Sequence, residues 1–274
     1  HLYVPDTERG ENLLPTVTIL GRELPTYGVL SIVGVVLALV LVLPRCRRFG
    51  LSADDAAYLY AFALVGALVG AKGLYLLTVL PQLVTDLRLI WQEPSVFAAR
   101  YLTGGMVFYG GFLGGVLGAW GASRYFRLRF SDFFPVLVPA LPLIHAVGRL
   151  GCFSVGCCYG VEAPPPLGIA YQISPIAPNG VPLFPVQLWE CGAEMVIFVV
   201  LLLASRRPGP RWRLLVLYAL CYAPVRFVLE FFRGDTARGM YGPISTSQWI
   251  SLAVLAGVLI WLLARRRRGD ASTV

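Results

Sequence analysis

Charge is scarce in this chain. Only 14% of its 274 residues are Asp, Glu, Lys or Arg, and histidine occurs twice. Hydrophobic residues make up 57% and the mean hydropathy is +0.70, a composition that excludes a soluble globular domain and marks a membrane protein. The six cysteines include no Cys-x-x-Cys pair and no quinone site is evident, which argues against a membrane thiol oxidoreductase. The first 22 residues lack a basic start followed by an apolar core, so no cleavable signal peptide is read there. His1 stands where methionine is usual, and a processed or engineered start is expected. Internal repeats and soluble domains are also missing, so residues 1–274 read as a single membrane domain.

What the chain has in quantity is long apolar runs. Stretches near the ~20 residues that cross a bilayer fall at 26–43, 56–80, 104–120, 133–153, 185–204, 214–232 and 247–264. Each must be helical, because lipid offers a bare amide no partner. The fold class is therefore an all-α integral membrane protein with seven transmembrane helices. Arginines at 45–48, 124–129, 206–213 and 265–268 lie at alternate ends of the spans and supply fourteen basic residues, against six in the opposite loops. The positive-inside rule then puts the C terminus in the cytoplasm and the N terminus outside. The net charge of +8 is mostly this bias, so nucleic acid is a poor partner. The outer connections, 81–103 and 154–184, are the longest; the second is proline-rich and reads as an irregular or short-stranded periplasmic cap.

Against this background Lys72, His145, Arg149, Gln187, Glu190, Arg226 and Glu230 stand out, because all fall inside spans. An ionisable residue at membrane depth costs at least ~2.5–3.5 kcal/mol, so it normally has a partner and a role. With the topology above, these residues share the outer layer, where Tyr27 and Tyr109 also open spans one and three. Arg149 and Arg226 on different helices suit a phosphate, whose oxygens match the guanidinium fork. Glu230, four residues after Arg226, is placed to hold that guanidinium. The plainer reading is an Arg–Glu pair that stitches helices together. Lys72 can equally snorkel toward headgroups, His145 can be a satisfied packing residue, and Glu194 reads as a helix-to-helix hydrogen bond. Cys152, Cys157 and Cys158 cluster near the outer face; their plainer reading is small buried hydrophobes, and a vicinal bridge would strain the backbone. The glycines of span three, among them Gly110, Gly111 and Gly114, allow close approach by a neighbouring helix or a lipid.

Five segments in order resemble a known family. Gly104-Gly-Met-Val-Phe-Tyr-Gly-Gly-Phe-Leu-Gly114 is similar to the glycine-rich motif of bacterial prolipoprotein diacylglyceryl transferases. Gly148-Arg-Leu-Gly-Cys-Phe-Ser-Val-Gly-Cys-Cys-Tyr-Gly160 resembles the signature around that family's essential arginine. Pro185-Val-Gln-Leu-Trp-Glu190, Tyr222 through Arg226 to Arg233, and Ile244-Ser-Thr-Ser-Gln248 follow in the family order, and Tyr27-Gly28 and Ala71-Lys72-Gly73 match more loosely.

The resemblance implies transfer of the diacylglyceryl group of phosphatidylglycerol to the lipobox cysteine thiol of a preprolipoprotein in the bacterial inner membrane. A thioether forms and glycerol 1-phosphate leaves. It implies catalytic roles for Arg149, Arg226, Tyr109 and Glu230, to which the position of His145, on the same helix face as Arg149, adds a fifth candidate. Substrate contacts would come from Tyr27, Lys72, Gly110, Gly111, Gly114, Cys152, Gly160, Gln187, Glu190, Tyr222 and Arg233. No cofactor and no metal is expected. The chain departs from the pattern at Tyr109, where histidine is usual, at Cys152, where asparagine is usual, and at Lys72, where arginine is usual. A thiol attacks as thiolate, and its free pKa of about 8.5 leaves little ionised at neutral pH. A phenol with pKa near ~10 is a poor base, so either His145 accepts the proton or the arginine field alone lowers the thiol pKa. The competing readings are a divergent paralogue with another acceptor and a non-enzymatic transporter, which would carry polar groups into the inner half as well.

Overall fold

The computed structural model describes residues 15–19, 21–103, 105–235 and 239–270. Gly104 of the glycine motif lies outside these. The long helices are α1 (Thr26–Arg48), α2 (Ala53–Thr78), α3 (Phe108–Tyr125), α4 (Ala140–Val155), α5 (Val186–Ser205), α6 (Arg213–Leu229) and α7 (Thr246–Asp270). Among the described residues, five segments are long and apolar enough to cross a membrane: α1, α2, α5, Arg213–Phe232 and Thr246–Arg266. A sixth arises if Phe130–Leu137 and α4, which meet at a 48° bend, count as one span. Pro139 at that bend explains the break, because its ring denies the helix a hydrogen bond there. The chain is thus a multi-pass, mostly helical membrane protein. The third expected span, α3, lacks the apolar character of the others because six of its 18 residues are glycine.

The helices group into two compact units, one of residues 42–133 and one formed by the described residues up to Leu41 with those from Phe134 on. In the first, α2 and α3 run antiparallel with almost no side chain between them. A Cβ on Gly70 would stand 2.9 Å from the Gly114 Cα, and one on Gly114 would stand 3.0 Å from the Gly70 Cα. Gly66 and Gly118 continue the seam, which repeats every four residues on both helices. This is the small-residue packing that lets backbones approach in lipid, where hydrophobicity gives helices no reason to associate. Of the two neighbours allowed by the glycines, a helix or a lipid, the helix occupies this face. Gly111 sits at its edge, where an added Cβ would make ordinary 3.4 Å contacts with Ala67 and Ala71. The 81–103 connection is a string of short helices, tied together by Asp86, which accepts from Arg100 Nη1 (2.5 Å) and Tyr101 Oη (2.7 Å).

The second unit packs α4 on α5, and α6 on both α5 and α7. Val138, Ile197, Leu201 and Leu214 form its buried apolar cluster. After α4 the chain turns back through Gly156, whose φ of 79° suits glycine and closes the helix, with the Gly156 and Cys157 amides both bonding to the Cys152 carbonyl. The 154–184 stretch is short-stranded, as its composition predicts. Strands β1 (Thr16–Ile19) and β2 (Arg22–Pro25) pair ahead of α1; β3 (Ile169–Ala170) and β4 (Pro182–Leu183) pair within the stretch. Phe153, Tyr171, Ala177 and Leu183 fill the space beneath it.

The seam sets a sharp expectation. Gly114→Val forces a side chain into backbone and should cost at least about 1–3 kcal/mol by overpacking, lowering the thermal stability of the detergent-purified protein. Gly111→Ala should leave it within error. Equal tolerance of both substitutions would contradict the packing described.

Candidate active site

The polar residues of the second unit converge on one carboxylate. Glu190 lies in the first turns of α5 and is 1% exposed. Its Oε2 is 2.9 Å from Arg149 Nε of α4 and 3.8 Å from Arg226 Nη1 of α6. Its Oε1 accepts a hydrogen bond from the Tyr222 hydroxyl at 3.0 Å and lies 3.7 Å from His145 Nε2. Three helices are therefore pinned at one buried point. Helical spacing explains why: His145 and Arg149 are four apart on α4, and Tyr222 and Arg226 four apart on α6, so each pair shares a face.

Around this centre the remaining charges pair outward. Arg226 Nη2 contacts Glu230 Oε2 at 2.7 Å and donates to Ser247 Oγ at 3.1 Å. Arg233 forks onto Asp235, at 2.8 and 2.6 Å, and lies 3.8 Å from Glu230. Burial opposes the Arg233 charge, but the Asp235 hydrogen bonds outweigh it and hold its pKa above the usual guanidinium value. His145 Nδ1 is 2.5 Å from Glu194 Oε1, so the α4–α5 link expected of Glu194 is present. Two carboxylates thus face the imidazole alongside Arg149, and the arginine's field does not act on it alone. Arg226 Nη1 is buried and faces Glu190 Oε2 at 3.8 Å, an ion pair longer than a hydrogen bond.

Several expected substrate residues have structural duties. Gly160 sits where three backbones cross: a Cβ there would stand 2.9 Å from the Phe232 carbonyl, and Val161 N–H donates to that carbonyl at 2.9 Å. Gln187 donates to the Cys157 carbonyl (2.8 Å) and to Tyr171 Oη (3.3 Å), fastening the turn after α4. Tyr27 lies against Gly151, whose Cβ would be 3.1 Å from the tyrosine ring. Lys72 and Tyr109 belong to the other unit. Lys72 donates to the Tyr101 and Gly105 carbonyls at 3.2 and 3.1 Å and lies over the Tyr75 ring. Tyr109 is 37% exposed in the first turn of α3.

Three contributors were given no role of their own in the sequence reading, although Ser247 and Gln248 lie in the quoted segment Ile244-Ser-Thr-Ser-Gln248. Ser247 and Asp235 each hold an arginine, and Gln248 accepts from Ser245 N–H while its own N–H donates to Ser245 Oγ, capping α7 and fixing Ser247. Ser247 and Gln248 carried a sequence signal, the polar run Ser245-Thr-Ser-Gln248 ahead of an apolar span, and Asp235 carried none.

Removing Glu190 should be costly to the fold itself. Glu190→Gln leaves two buried guanidiniums short of their shared counter-charge, an effect of about 3–5 kcal/mol for broken buried pairs. Thermal unfolding in detergent should show a large loss, and an unchanged midpoint would contradict the central role of this carboxylate.

Comparison with known proteins adds an independent line. The chain matches the family model described as prolipoprotein diacylglyceryl transferase over residues 15–264. It is 30% identical over 255 residues to a Clostridium perfringens protein named phosphatidylglycerol–prolipoprotein diacylglyceryl transferase 2, covering 93% of this chain and 96% of that one. A Geobacter sulfurreducens protein named phosphatidylglycerol–prolipoprotein diacylglyceryl transferase is 31% identical over 252 residues, covering 90% and 93%. A Clostridium tetani protein of the same name is 29% identical over 251 residues, covering 91% and 97%.

Proposed function

This chain belongs to the prolipoprotein diacylglyceryl transferase family, and from that premise we propose that it moves the diacylglyceryl group of phosphatidylglycerol to the lipobox cysteine of preprolipoproteins. The observation that carries the reading is the pair of buried arginines, Arg149 and Arg226, held on separate helices by the single carboxylate of Glu190. In the transfer, the acceptor sulfur forms a bond to the glyceryl carbon while the carbon–oxygen bond to phosphate breaks. Charge grows on the departing glycerol 1-phosphate. Guanidiniums fixed in advance stabilise that charge without reorganising, and their benefit is greatest where water is excluded.

Within this reading Glu190 and Glu230 position the arginines, and Tyr222 fixes Glu190. The long 3.8 Å contact of Arg226 Nη1 with Glu190, which is no hydrogen bond, leaves that N–H able to bond an anion and supports such a role for the residue. Tyr109 is assigned hydrogen-bond donation to substrate, the role its hydroxyl offers. The topology that goes with it has seven spans in the bacterial inner membrane, with α3 as the glycine-rich one, the N terminus outside and the C terminus cytoplasmic. The arginine clusters support this orientation, and Arg265 over the Trp212 ring (4.6 Å) brings the last two of them together.

Transfer to a synthetic lipobox peptide, followed by mass spectrometry, tests the assignment. Arg149→Ala and Arg226→Ala should each lower the rate by roughly 10²–10³, and lysine should rescue little because a point ammonium lacks the planar fork. Near-normal turnover by Arg149→Ala would overturn the leaving-group role. The proton acceptor is tested separately. If His145→Gln keeps its rate across roughly pH 6–9 while Tyr109→Phe loses it, the histidine only packs.

A further inference from the structure

Three cysteines of the second unit remain outside this account. The Sγ atoms of Cys152, Cys157 and Cys158 all lie within 4.8 Å of one another, and all three thiols are free. They are gathered by a built turn and not by a loose tail. The Gly156 closure folds the chain back, and Cys158 adopts φ 58°, a left-handed conformation that side-chain-bearing residues rarely take. Gln187 fastens the Cys157 carbonyl, and Gly234 N–H donates to the Tyr159 carbonyl, fixing both flanks. The guanidiniums of Arg149 and Arg233 act electrostatically on Cys158. Cys152 is three residues after Arg149 and therefore on the same side of α4.

A trio of thiols is a donor set for a thiophilic closed-shell cation. Zinc binds thiolate at ≈ 2.3 Å, which in a tetrahedron puts the sulfurs ~3.8 Å apart, a separation inside the 4.8 Å that bounds the observed cluster. Three thiolates and one Zn²⁺ carry a net charge of minus one, which the two guanidiniums offset. Three protein ligands also leave the fourth position open, the arrangement of zinc sites that act on a bound group. We propose that Cys152, Cys157 and Cys158 form a zinc site whose open position binds the acceptor cysteine as thiolate.

The proposal rests on the transfer reading for the identity of that acceptor and gives its thiol a route to the thiolate that needs neither His145 nor Tyr109. A thiol coordinated to zinc is deprotonated outright. The incoming thiol displaces zinc-bound water and its proton passes to solvent. The sulfur then forms the carbon–sulfur bond, the carbon–oxygen bond breaks, and its electron pair leaves on glycerol 1-phosphate beside Arg149. Zinc keeps its oxidation state, and the thioether product, a neutral and weaker ligand, dissociates.

The test uses the whole protein purified with zinc, its metal content, and its cobalt-exchanged form. Wild type should hold one zinc per chain, and cobalt should give intense sulfur-to-metal charge-transfer absorption. Cys152→Ser and Cys157→Ser should each lose most of both signals, while Cys191→Ser, remote from the cluster in sequence, should keep them. A lipobox peptide should shift the cobalt spectrum, and the same peptide with serine for cysteine should not. Zinc absent from wild type, metal retained in the Cys152 and Cys157 variants, or a disulfide joining two of the three sulfurs in the intact mass would each overturn the site. Full transfer activity after the metal is stripped would overturn it too, leaving the transferase reading in place. A cobalt spectrum that responds to the peptide, without transfer, would keep the site and discard the transferase reading.

Discussion

A carboxylate taken wholly out of water must be matched by positive charge and by hydrogen-bond donors, and Glu190 is matched by residues from two neighbouring helices at once. That requirement orders the second unit. α4 and α6 each present a face carrying two polar residues to α5, and the arginines keep one geometry because the same acceptor holds both. The outer pairs follow from it: Glu230 takes the other edge of Arg226, Asp235 takes Arg233, and Glu194 takes His145. Buried pairs of this kind are weak sources of stability. In the proposed transfer, their value lies in fixing donors where charge develops.

The two units solve the same problem, joining helices in lipid, by opposite means. The α2–α3 pair removes side chains until backbones touch, whereas α4, α5 and α6 are joined by charge. Only the second solution leaves chemistry behind. The backbone crossing at Gly160, with the straps from Val161 and Gly234, then locks the turn after α4 onto the segment after α6. This carries Arg233 and the three cysteines to the same neighbourhood as Arg149.

Much of this was legible because charge in an apolar run is conspicuous. Arg149, Arg226, Glu230 and Glu190 could be singled out without a partner in view, and the Arg226–Glu230 pair followed from helical spacing alone. What spacing cannot reveal is which helix faces which. Glu190 therefore read as one polar residue among several and not as their common acceptor. Likewise the glycines of α3 announced a close approach, but Gly66 and Gly70 of α2 became their partners only in three dimensions. Gly160 read as a substrate contact because it sits in a motif; the structure gives it a steric duty that any side chain would prevent. Cys157 and Cys158 read as small hydrophobes because the left-handed turn that brings them back to Cys152 depends on Gly156 and on a strained Cys158, and neither is visible in composition.

The proposed transfer depends on one event, departure of a phosphate ester as its charge is taken up by fixed guanidiniums. Phosphatidylglycerol carrying heavy oxygen at the atom that bridges the diacylglyceryl carbon and phosphorus follows it directly, with both products weighed by mass spectrometry. The predicted result is a lipobox peptide bearing an unlabelled diacylglyceryl group on its cysteine sulfur, and an equal amount of glycerol 1-phosphate that keeps the label. Label retained with the diacylglyceryl group, or a phosphorus-bearing peptide, would mean that the phosphorus–oxygen bond breaks instead and would contradict the account.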